Sequence, residues 1–78
     1  PGLTLVLVAL RQGAALHEHK APHGATVMVI EGRIAFRPAS GGGPVELAAG
    51  GAVAFAADVR HAVEALEDSA FVIAIGGG

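Results

Sequence analysis

Short apolar runs broken at regular intervals by glycine, proline and aspartate constrain this chain more than any other feature. They cover residues 3–10, 14–19, 25–31, 32–37, 44–48, 52–56, 61–66 and 70–75. Each is too short for a stable helix and is rich in Val, Ile, Leu and Ala, so each is read as a β-strand. The segment 61–66, His-Ala-Val-Glu-Ala-Leu, would suit a helix by propensity. Its shortness and its β-branched surroundings assign it to a strand. About eight strands separated by turn signals every 8–12 residues or so are the pattern of an all-β sandwich or barrel. Gly32 offers a tight turn that would make 25–31 and 32–37 a hairpin. The segment Pro38-Ala39-Ser40-Gly41-Gly42-Gly43 reads as a flexible hairpin tip, and the glycines at the C-terminus as a tail.

Seventy-eight residues form one domain with a modest core. The chain has no cysteine, so neither a disulfide nor a thiolate site can support it, and metal binding or self-association remains. Residues 3–10 are apolar on both parities, with Leu3, Leu5, Leu7 and Ala9 on one and Val6, Val8 and Leu10 on the other. A two-sided apolar strand in so small a protein predicts a homodimer in which a second chain covers one side. The alternative is an edge strand covered by the chain's own loops. Five Lys and Arg against seven Asp and Glu give a net charge of −2, with no basic run and no Trp or Tyr. No nucleic-acid partner is therefore expected. No run is long enough to span a bilayer and no signal-peptide pattern is present, so no membrane partner is expected and the cytoplasm is the predicted location.

All four histidines fall into one arrangement: His17 and His19 flank Glu18, His23 follows, and His61 lies far downstream. Residues i and i+2 of a strand face the same way about 6.5 Å apart. Two imidazoles so placed can grip one ion at about 2.0–2.1 Å per nitrogen, and a ligand from a distant strand would complete the cage. By spacing alone the pair could equally be solvated at a strand end.

The segment GAALHEHKAPHGATVMVIEG (residues 13–32) resembles the first motif of the cupin superfamily, G-x5-H-x-H-x3,4-E-x6-G, with His17, His19 and Gly32 in place. The segment GGAVAFAADVRHAVEA (residues 50–65) resembles the second, G-x5-P-x-G-x2-H-x3-N, with Gly50 and His61 in place. The closing segment HAVEALEDSAFVIAI is similar to the last strands of small bacterial cupins. The resemblance runs from Leu3 to Ile75. It implies a double-stranded β-helix, or jelly roll, and a metal site at His17, His19 and His61.

The departures are specific. No carboxylate stands where the family's glutamate ligand belongs; the positions in question hold His23, Gly24 and Ala25. Glu18 has the parity opposite to its flanking histidines. Ala56, Asp58 and Ala65 replace the second motif's Pro, Gly and Asn. His23 is either a fourth ligand or a residue of the Pro22-His23-Gly24 turn. Neutral imidazoles suit Zn, Cu, Ni, Fe or Mn. Without a carboxylate the ion would act as a strong Lewis acid toward water or a chelating small molecule, and family precedents include metal-dependent oxygenases. The inner positions beside the histidines are apolar: Ala25, Val27 and Val29 on the third strand, Val63 and Ala65 on the seventh. Met28, Phe36, Phe55 and Phe71 are read as core, and Arg33, Arg37, Glu46 and Asp68 as solvated surface. Catalysis would have to run through the metal. The competing reading is a non-catalytic cupin dimer whose histidines line a pocket for a small molecule without metal.

Overall fold

Two strands show the alternation of buried and less buried residues plainly. On β3 (Ala25–Glu31) the side chains of Ala25, Val27 and Val29 are buried, and on β7 (His61–Ala65) those of His61, Val63 and Ala65 are. A period of two is the pleat of a strand with one face on a core. The structure is a computed structural model that describes residues 2–19, 24–38, 43–55 and 61–76, with the backbone alone at 17–19 and 38. The remaining strands are β1 (Leu3–Leu10), β2 (Ala15–His19), β4 (Arg33–Pro38), β5 (Val45–Ala48), β6 (Ala52–Phe55) and β8 (Ser69–Gly76). They form two four-stranded antiparallel sheets, ordered β1-β8-β3-β6 and β2-β7-β4-β5.

The inner faces meet in one core. Val27, Val29 and Phe71 come from the first sheet, and Ile34, Phe36 and Val63 from the second. Val8, Leu10, Leu16, Leu47, Val53, Phe55 and Ile73 pack around them. Consecutive strands cross between the sheets at every step but β4 to β5, which makes this a jelly roll, as the turn spacing and motifs predict. Among the described residues the two sheets are not hydrogen-bonded into a closed barrel.

Three sequence expectations change. β3 and β4 are not a hairpin: β3 pairs with β6 and β8, whereas β4 pairs with β5 and β7. Gly32, at φ 82°, carries the chain from one sheet to the other. Met28 is not core but half exposed, because it has the parity opposite to Val27 and Val29. Gly76 belongs to β8 and pairs with Leu3 rather than to a tail. The expected hairpin of β4 with β5 does form, and its tip at 39–42 lies outside the described residues.

The crossing at Gly32 is clasped by Ser69, which is buried. The backbone N–H of Arg33 donates to Ser69 Oγ at 3.0 Å. The hydroxyl in turn lies 2.9 Å from the Arg33 carbonyl and 2.8 Å from the Glu67 carbonyl, either of which can accept its single proton. A Cβ on Gly32 would collide with the Asp68 carbonyl oxygen and Ser69 Oγ. Gly32→Ala therefore combines an unfavourable positive φ with a backbone clash and should destabilise by about 2–4 kcal/mol. Ser69→Ala leaves the Arg33 N–H without its partner and should cost about 1–3 kcal/mol. Urea denaturation measures both, and changes below about 0.5 kcal/mol, the surface norm, would contradict the clasp.

Candidate metal site between two strands

β7 starts at His61, whose side chain is 2% exposed on the inner face of its sheet. Its ring lies against two phenylalanines. The Phe36 centroid is 5.2 Å away with the planes 22° apart, and the Phe55 centroid is 4.2 Å away with a 50° tilt. The two phenylalanines also stack on each other at 5.3 Å. β4 supplies Phe36 because Phe36 pairs with Val63 and Pro38 with His61, which sets Phe36 diagonal to His61 on one face. β6 supplies Phe55 from the opposite sheet. The imidazole thus sits where the two sheets face each other, on an aromatic wall that shields it from water. Phe36 is core as expected, whereas half-buried Phe55 belongs as much to the surroundings of His61. Its place on the inner parity of a strand of the other sheet is not visible until the strand order is known.

β2 runs antiparallel to β7 and brings the H-x-H motif alongside. Ala15 pairs with Glu64 and Leu16 with Val63, but the next pairing is His19 with His61. β2 takes three residues where β7 takes two, so an extra residue sits at His17 or Glu18: a β-bulge. Without it, Leu16 and His19 would belong to opposite faces, since they are an odd number of residues apart. With it, Leu16 stays on the face that packs against the core, and His19 stands directly across from His61 on that same face. The i, i+2 rule for a regular strand misses this bulge. The conflict in β2 between an apolar Leu16 and histidines on the other parity is the signal that could have found it.

The register thus places His19 and His61 as cross-strand partners, with His17 at or beside the bulge. His23 and the expected mouth residues Asp58 and Arg60 lie outside the described residues. Ala25, Val27, Val29, Val63 and Ala65 are all buried, as the apolar reading of the interior requires. Among the described residues no group of three or more His, Asp or Glu side chains gathers as a metal site.

Arg33, Arg37 and Glu46 lie on the surface as expected. Arg33 bonds Glu46 and lies 3.7 Å from Glu67, and Arg37 donates to Glu64 at 3.1 Å. Asp68 accepts a hydrogen bond from the Gln12 backbone N–H at 2.8 Å.

Comparison with known proteins agrees with this fold. Residues 6–75 match the family model described as Cupin domain. A cupin superfamily protein from Desulfitobacterium hafniense superposes with a TM-score of 0.87 at 11% identity, over 94% of this chain and 65% of that one. A cupin 2 conserved barrel domain protein from Leptotrichia buccalis gives 0.88 at 27% identity, over 99% of this chain and 36% of that one. KdgF from a Halomonas species gives 0.78 at 24% identity, over 95% and 66%. The chain therefore spans about two thirds of the first and about a third of the second. No protein of curated function matches. The family match over residues 6–75, on a jelly roll with both histidine motifs in order, places the chain in the cupin family.

Proposed function

We propose that this cupin holds a divalent transition metal through His17, His19 and His61, with His23 as a fourth ligand, and presents it to a small molecule in the cytoplasm. The cross-strand pairing of His19 with the buried His61 carries the reading. Cα atoms paired in this way lie about 4.5–5.5 Å apart, a separation two imidazoles can bridge through one ion. Phe36 and Phe55 hold the His61 ring in place and keep water from one side of it. A bound metal would supply Lewis acidity or redox chemistry, and oxygenase-like chemistry is one of several family precedents. The chain's own contribution is to orient neutral imidazoles and to wall the site with apolar residues. The second reading is the metal-free small-molecule binder. It is favoured by the apolar packing around His61, since a histidine stacked on two phenylalanines also fits a pocket that binds without metal.

Thermal unfolding of tag-free, demetallated protein separates the two. A metal that binds only the native state stabilises it by about 2.7 kcal/mol at one hundred times its Kd. For a domain of this size that is a rise in Tm of roughly 10–20 °C. The rise should appear with at least one of Zn, Cu, Ni, Fe or Mn and shrink on acidification, because protons compete for imidazole nitrogen. His61→Ala lowers the starting Tm and should also abolish the metal-dependent increment, while His23→Ala tests the fourth position. The absence of any rise with all four histidines intact would leave the metal-free binder.

The bulge gives an independent check. Deleting Glu18 makes the step from Leu16 to His19 equal to that on β7, so the strand should remain paired and the apo protein folded. His17 would move to the register position of Ala62 on the outer face. Metal affinity, measured by calorimetric titration, should fall by at least tenfold. Unchanged affinity would remove His17 from the ligand set.

A further inference from the structure

The outer face of the β1-β8-β3-β6 sheet is apolar over most of its length, with Leu5, Leu7 and Met28 exposed. Its character changes at one end. There Arg11, Glu31 and Asp68, all exposed, rim a cleft of about 350 Å³ that is lined between them by Ala9 and Ala70. The register explains the cleft. Ala70 of β8 pairs with Ala9 of β1 on one side and with Glu31 of β3 on the other. Two methyl groups therefore occupy the centre of a row that larger side chains would fill. Glu31 reaches this row through a second bulge. β3 takes two residues from Val29 to Glu31 where β8 takes one from Phe71 to Ala70. Val29 and Phe71 are buried, so an unbroken alternation would carry Glu31 to the core face. The bulge carries it instead to the face of Ala70.

We infer that this cleft binds a small zwitterion, an α-amino acid with a short aliphatic side chain, its carboxylate on Arg11 and its ammonium on Glu31 and Asp68. Charge selects the class. The two carboxylates disfavour a phosphate or other polyanion, and the guanidinium disfavours a metal ion. A molecule carrying one charge of each sign suits both sides. The protein itself leaves these charges unmatched. Among the described residues neither the Arg11 guanidinium nor the Glu31 carboxylate forms an ion pair or a hydrogen bond, whereas Arg33 and Arg37 both do. Position is fixed as well. Asp68 Oδ1 accepts from the Gln12 backbone N–H at 2.8 Å, which ties the turn after Arg11 to the turn before β8. Glu31 and Asp68 directly precede Gly32 and Ser69, so both carboxylates stand on backbone that the clasp holds. Size agrees with the class. The volume falls at the lower end of small-molecule sites, about 300–1,000 Å³. The methyl groups of Ala9 and Ala70 give a short aliphatic side chain an apolar surface to lie on.

The cleft belongs to the sheet that does not carry His61, so the test uses tag-free, demetallated protein and does not depend on the metal reading. The full chain is titrated with L-valine and followed by the NMR shifts of its backbone amides. Binding should saturate with a Kd of about 1 mM or below, the strength that two charge-assisted contacts can supply. The largest shifts should fall at Ala9, Glu31, Asp68 and Ala70. Isobutylamine and isovalerate each keep the side chain and one of the two charges, and each should bind about tenfold more weakly or worse. Arg11→Gln and Glu31→Gln should each lower the affinity for L-valine by a similar factor and leave the circular dichroism unchanged. Ala70→Leu should close the cleft and abolish binding; should it fail to fold, the two glutamine variants carry the test. Shifts that stay linear with L-valine into the tens of millimolar, the behaviour of charges that meet only solvent, would overturn the proposal. So would either single-charge compound binding as tightly as L-valine, or affinity unchanged in both glutamine variants.

Discussion

Along β2, Leu16 pairs with Val63 and His19 with His61, and the step between them is one residue longer than the step on β7. The rest of the site depends on that extra residue. A regular strand could bury Leu16 or present His19 on the same face as His61, but not both, because successive residues alternate between faces. With the bulge, Leu16 and His19 both take register positions on the face that carries Val63 and His61. Bulges recur where a strand must re-aim a side chain beside a functional site. The aromatic wall of Phe36 and Phe55 completes the arrangement by fixing the His61 ring from two different sheets.

The proposed metal site and the exposed apolar face belong to different sheets of this fold. The histidine register belongs to the inner face of the β2-β7-β4-β5 sheet, whereas the apolar surface is the outer face of the other sheet. Each answers the same difficulty. A chain of 78 residues without cysteine has a small core and no covalent cross-link. A second copy would extend the apolar core by a layer, and a bound ion would tie β2 to β7. Loss of one need not remove the other.

Much of this was legible in the residues. Turn-bounded apolar runs located all eight strands to within a residue or two, because alternation and punctuation are local properties. The side of the sheet on which Val27, Val29, Val63 and Ala65 lie was legible for the same reason. What was not legible was pairing. Gly32 looks like a hairpin glycine from its neighbours alone. It crosses between sheets because the Ser69 clasp, contributed by residues far along the chain, fixes the turn that follows. The bulge was hidden in the same way, since only the register against β7 exposes it. Met28 was placed in the core by residue type, although its parity pointed outward.

The most direct test is a crystal structure of tag-free protein soaked in Zn or Ni, with anomalous data collected at that metal's absorption edge. The account predicts one anomalous peak between β2 and β7, within about 2.0–2.1 Å of a ring nitrogen of His17, His19 and His61. No peak at that position, with the three histidines intact and the jelly roll unchanged, would contradict it.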